Sequence, residues 1–157
     1  MAVVIADASP LIALARINQL ALLPALFSTV QITQAVADEC LFKPSNDAER
    51  ITEAIQAGWL HTVENPLFKH NLSRSLGLGE QTSIEYALQA DSKTLLIMDD
   101  ALARKQAIRL NLSLVGTAAI LFMAERKGLI GDAEGLINQL SQTGYRISAQ
   151  VVEQLKR

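Results

Sequence analysis

Short apolar runs rich in β-branched residues alternate along this chain with longer stretches of helical period, the pattern of successive strand–helix units on a parallel sheet. The first run is VVIA, Val3 to Ala6, followed by a helix starting near Ser9-Pro10, where Ser9 can cap and Pro10 suits the first turn. A second helix covers about Gln19 to Phe27. TVQIT (Thr29 to Thr33) predicts a strand and QAVADECLF a helix, and after the turn KPSN, Asn46 opens the helix DAERITEAIQAG, closed by Gly58. WLHTVE is a third strand candidate, and NPLFKHNLSRSLGLG predicts a connection carrying a short helix. Beyond it lie the helix GEQTSIEYALQAD, the strand KTLLIM and the helix DALARKQAIRLN. A fifth strand, SLVG, precedes TAAILFMAERKG, a helix capped by Thr117. Two shorter helices, about Asp132 to Gln142 and Ser148 to Lys156, follow. The pattern predicts a three-layer α/β/α fold around a central parallel sheet of about five strands.

Composition narrows this only slightly. At 157 residues the chain fits one domain. Residues 1–130 carry the strand–helix pattern, and 131–157 form a helical extension of the same domain. Half the residues are hydrophobic and few are aromatic, so aliphatic side chains must build the core. A net charge of −2 gives no global attraction to nucleic acid, so a phosphate-bearing partner needs local cations. The single cysteine, Cys40, cannot form an internal disulfide, which suits a reducing cytoplasm. The segment MAVVIADASP lacks a basic leader, and the greasiest window is broken by Arg16 and Pro24, so neither a signal peptide nor a membrane span is expected.

The chemistry lies in where the acids fall. Parallel sheets bind ligands outside the carboxyl ends of their strands. Asp7 follows the first strand, and the adjacent Asp99 and Asp100 follow the fourth. Glu80 begins the helix before that strand, and Glu39 lies two turns into the helix after the second. Each acid alone has an ordinary explanation as a loop residue, a helix cap or a solvated side chain. Gathered at one edge, they would repel each other and raise their own pKa values. A divalent cation removes that penalty. Oxygen ligands select Mg²⁺ or Mn²⁺, since no cysteine or histidine has zinc-like spacing, and His61 and His70 are isolated.

Five stretches in this order, VIADASPLIALARI, ITQAVADEC, LGLGEQTSIEYAL, LLIMDDALARKQA and LVGTAAILFMA, resemble the PIN-domain superfamily of VapC-like nucleases. More closely they resemble a prokaryotic branch of PIN-like proteins of unknown function. The likeness spans roughly Val3 to Leu129. It implies that Asp7, with Ser9 two residues on, is the first metal-binding acid and that Glu39 is the second. Glu80 is the third, where VapC-like toxins usually have aspartate. The fourth is Asp99 or Asp100: spacing to the strand favours Asp100 against the toxins, and Asp99 suits the branch nearly as well. Thr117 is the natural polar support near the site.

The resemblance implies Mg²⁺- or Mn²⁺-dependent endoribonuclease action on single-stranded RNA, with Asp7, Glu39, Glu80, Asp99 and Asp100 as catalytic acids. It also implies a homodimer and a possible antitoxin protein, the chain then being the toxin of a pair. Cations near the predicted loops, Arg16, Lys43, Arg74, Arg104 and Lys105, are candidates for gripping RNA. The apolar excess of residues 11–28 is a further hint of a dimer face or a groove for an antitoxin-like peptide. Two rivals fare worse. A phospho-receiver domain needs its acid pair after the first strand and a lysine after the fifth, and LGLGE lacks the strand and full glycine fingerprint of a nucleotide site. A third, a catalytically weak or inactive PIN-fold binding or assembly module, remains open.

Overall fold

The computed structural model describes residues 2–156. Five strands, β1 (Val3–Ala6), β2 (Val30–Thr33), β3 (Leu60–Val63), β4 (Thr94–Ile97) and β5 (Ser113–Val115), pair in parallel in the order β3-β2-β1-β4-β5. Nine helices among the described residues cover the sheet: α1 (Ala8–Arg16), α2 (Leu22–Phe27), α3 (Gln34–Leu41), α4 (Asn46–Ala57), α5 (Leu78–Gln89), α6 (Ala101–Arg109), α7 (Thr117–Arg126), α8 (Ala133–Gln142) and α9 (Ala149–Lys156). This is the three-layer α/β/α arrangement that the sequence predicts.

Alternation along β1 shows how the layers form. Val4 and Ala6 enter a large core shared with α1, α3, α4, α7 and α8, while Ile5 points the other way, to Leu96, Met98 and the buried faces of α5 and α6. A strand buried on both faces must be apolar throughout, which is why VVIA lacks an alternating polar pattern. Each fully buried Leu or Ile here contributes roughly 1.5–3 kcal/mol over leaving it in water. Helices α8 and α9 supply Ile137, Leu140 and Val152 to the same large core. The apolar excess of residues 11–28 is also spent there: Leu11, Leu14, Ile17, Leu20, Leu22 and Leu23 are all buried within the chain. Cys40 is buried as well, and burial pushes its thiol up to about 12.

Several local expectations are corrected. The second helix is shorter than the sequence predicts, beginning at Leu22. Ser9 does not cap α1; Asp7 holds that position, with an extended backbone, and Ser9 lies inside the first turn. Thr117 does not cap α7 either, because the chain enters that helix one residue earlier, at Gly116. The segment after β3 has no helix between Glu64 and Gly77. Its amides are taken by side chains instead: Lys69 and His70 donate to Glu85, at 3.0 and 2.9 Å, and Ser73 donates to Gln106 at 3.1 Å. A donor already bonded outside the segment is lost to an i→i−4 ladder.

The strand order also locates a crevice. From β1 the chain winds outward through β2 to β3, then crosses back to place β4 on the other side of β1. The carboxyl ends of β1 and β4 therefore flank the topological switch point, where α/β folds leave room for a ligand.

Candidate active site

Asp7 leaves the sheet at that point. Its N–H donates to the Ile97 carbonyl at 2.9 Å, continuing the β1–β4 pairing by one residue and fixing where the side chain emerges. The residue is 3 % exposed. Burial, opposed by the Ala8 N–H and reinforced by the negative charges of Glu80, Glu39 and Asp99, raises the Asp7 carboxyl to about 7. Three acids from three other elements are thus close enough to act on it.

Glu39 comes from α3, and its Oε1 faces the same gap as Asp7 Oδ1. A Cβ placed on Gly79 would stand 3.3 Å from the first and 3.4 Å from the second. The bare glycine at the start of α5 lets that helix approach both acids. A buried pair of hydroxyls, Thr33 and Thr82, 2.8 Å apart, joins the end of β2, just ahead of α3, to α5 and holds this approach. Glu80 follows Gly79 and turns back to accept the Gly77 N–H at 2.9 Å. Burial again raises its carboxyl above the ordinary value, with the Gly77 N–H opposing and Asp100 and Glu39 adding to the rise.

The two adjacent aspartates separate. Successive side chains of an extended segment point to opposite sides. Asp100 turns toward Glu80 and takes the N-cap of α6, accepting the Ala103 N–H at 2.9 Å. Asp99 turns toward α7 and accepts the Thr117 N–H on Oδ1 at 2.8 Å and the Thr117 hydroxyl on Oδ2 at 2.6 Å. The Tyr145 hydroxyl donates to the same Oδ2, and burial beside Asp99 raises that phenol well above its usual range. Gly116 permits the crossing, since an added Cβ would lie 2.7 Å from Asp99 Oδ1. So each aspartate serves a helix end, and Thr117 supports Asp99 in place of the cap the sequence assigns it.

The five acids therefore share one edge, although they do not all face one point. Among the described residues none of them forms an ion pair. Among the same residues no three acidic, histidine or cysteine side chains make a ready coordination shell. Of the candidate cations, Arg104 reaches the edge, donating to the Met98 carbonyl at 2.9 Å beside Gly116, and exposed Lys105 follows it. Arg16 does not. Nine residues of helix carry it to the far end of α1, where it pairs with Asp47 at 3.3 Å. Lys43 and Arg74 are exposed on the segments after α3 and before α5. Ser9 is half-buried in the first turn of α1.

A family model, DUF3368, described as a PIN domain, matches residues 3–157. The chain belongs to the PIN-domain family. The match runs beyond Leu129, where the resemblance in the sequence fades, so α8, α9 and Tyr145 lie within this PIN domain. No curated protein and no solved structure matches the chain. PIN domains are generally nucleases, and nuclease-type chemistry is the coarse functional assignment that membership supports. Nucleases of this class typically use divalent metals. Among the described residues no helix of the PIN domain is long and apolar enough to cross a membrane. Sequence reasoning missed Tyr145, whose only signal was an aromatic ring in the polar connection TGYRIS.

Proposed function

We propose that the chain is a Mg²⁺- or Mn²⁺-dependent endoribonuclease that hydrolyses single-stranded RNA at the edge formed by Asp7, Glu39, Glu80, Asp99 and Asp100. The observation that carries this is Asp7, a buried carboxylate surrounded by other acids and paired with no base among the described residues. Charge confined in this way is costly unless a proton or a cation neutralises it. The donor set, all carboxylate oxygen, fits a hard divalent ion. Asp7, Glu80, Asp99 and Asp100 would hold it, with Glu39 closing the side over Gly79. Such an ion supplies a water of lowered pKa and offsets charge on the phosphate.

The remaining roles belong to the chain. Asp7, raised to about 7 by burial and the acids around it, would have to release its proton to hold a cation, so uptake is expected to strengthen as pH rises through that value. Glu80, whose affinity for a proton is raised by its surroundings, accepts the proton of the attacking water. Thr117 and Tyr145 keep Asp99 in one orientation. Arg104 and Lys105 meet the phosphates flanking the scissile bond.

A second reading has its own support. Asp99 and Asp100 both have structural work at helix ends, which suits a PIN-fold binding or assembly module with weak or no activity. The toxin role, with an antitoxin partner and a homodimer, is a narrower form of the first reading. Incubation of purified protein with labelled RNA and Mn²⁺, beside a chelator control and Asp7→Asn, separates the two. Cleavage lost in both controls supports the nuclease. Cleavage that survives in both marks a contaminant, and absence of cation uptake by calorimetry favours the module.

A further inference from the structure

A cleft of about 720 Å³ opens from Asp99 and runs away from the other acids, between α6 on one side and α9 with its lead-in on the other. Its size lies within the roughly 300–1,000 Å³ of ordinary ligand pockets. Lys105 and Ile108 of α6 form one wall, Arg146 and Val151 the opposite one, and Gly116 and Tyr145 lie where the cleft meets the acid edge. Three features call for an occupant. Lys105 and Arg146 are exposed and, among the described residues, neither is in an ion pair. Asp99 is the single acid among the described residues lining the cleft. Ile108 and Val151 leave apolar surface in water, at 60 % and 41 % exposure, which folding alone does not reward.

We infer that this cleft receives the stretch of single-stranded RNA next to the scissile phosphate, its phosphates held by Lys105 and Arg146 and a base lying on the Tyr145 ring against Ile108 and Val151. The inference rests on the ribonuclease reading and extends it to residues outside the acid edge. Single strands are bound by this combination, a cationic track with an aromatic face for stacking, and it tolerates any base because every base has a π-face. The hydroxyl of Tyr145 is fixed to Asp99, so its ring is held at the junction of cleft and acids. Charge favours a polyanion here: the cleft gathers positive charge on a chain whose net charge is −2.

Steady-state cleavage of a dinucleotide and of a dodecanucleotide by the full chain with Mn²⁺ tests this. In Arg146→Gln the KM for the long strand is expected to rise several-fold with kcat unchanged, and the slope of log KM against log salt to fall by about 0.7, the value for one phosphate. The dinucleotide, too short to enter the cleft, keeps its KM. Val151→Trp fills the cleft at an exposed position and gives the same split without altering charge. Unchanged KM for the long strand in both variants overturns the inference while leaving the ribonuclease reading intact. So does a Val151→Trp protein whose oligomeric state alone changes, which assigns the cleft to a second copy of the chain. Failure of the wild type to cleave either RNA overturns the ribonuclease reading itself, and this inference with it.

Discussion

Asp7 and Glu85 are both carboxylates taken out of water, and their surroundings push them in opposite directions. Burial raises Glu85 as it does Asp7, but four donors more than reverse it: the Lys69 and His70 amides, His70 Nδ1–H at 2.8 Å and Gln89 Nε2–H at 2.8 Å. Asp7 has three acids around it and, among the described residues, is paired with no base. Both are expensive to bury. Where the cost is met by fixed donors, the carboxylate pins the segment between β3 and α5. Where fixed donors do not meet it, the carboxylate keeps its proton to higher pH.

The sharpest way to break the comparison is activity. Asp7→Asn is expected to lower RNA cleavage about 10³-fold, the scale of losing a main electrostatic group of a site, while Glu85→Gln leaves kcat near the parent value. Equal losses in single-turnover assays would mean that the two acids do the same kind of work.

Stability against pH comes next. The folded value of Asp7, about 7, lies above its ordinary 3.8. Between those limits the folded chain keeps a proton that the unfolded chain has released. Metal-free stability should therefore fall as pH rises from about 4 to 7, by at most about 4 kcal/mol at about 1.4 kcal/mol per pH unit. Asp7→Asn should flatten that slope in urea titrations at several pH values, and Mn²⁺ should raise the midpoint of the wild type alone. Glu85 acts with the opposite sign, since its stabilisation is present above the unfolded value and lost as pH falls through the lowered folded one.

Glu85→Ala should cost about 3 kcal/mol, because it strands buried donors as well as removing their acceptor. Hydrogen exchange at the Lys69 and His70 amides should quicken more than elsewhere. The smallest change expected is Tyr145→Phe. Loss of one donor to Asp99 should weaken Mn²⁺ binding about tenfold in calorimetry, the usual effect of removing a partner behind a metal-binding group, with the unfolding midpoint almost unmoved.

Features carried by local pattern were legible in the sequence. The run VVIA and the run TLLI announce strands because both faces are buried, and the acids that follow them stand out by position alone. Asp7, Asp99 and Asp100 needed only the rule that parallel strands present their ends to ligands. Features set by distant partners were not legible. Thr117 looked like a cap because the residue that binds its amide, Asp99, lies far back in the chain, in the connection between β4 and α6. The segment from Glu64 to Gly77 suggested a helix because nothing nearby reveals that Glu85 takes two of its amides. Tyr145 reaches Asp99 across 46 positions, and no periodicity records such a contact. Arg16 was drawn toward the acids by its closeness to Asp7 in the chain, although a helix carries it about 1.5 Å per residue away from them.

The central place of β1 has a consequence for the chain's birth. Its partner β4 and the aspartates beyond it are made only after β2, β3 and α5, and Tyr145 later still. Ribosomes add roughly 5–20 residues per second, so an emerging Asp7 stays for seconds without the neighbours that complete its edge. In a chain of this topology the acid edge is complete only once β4 and the segment bearing Tyr145 have both been made.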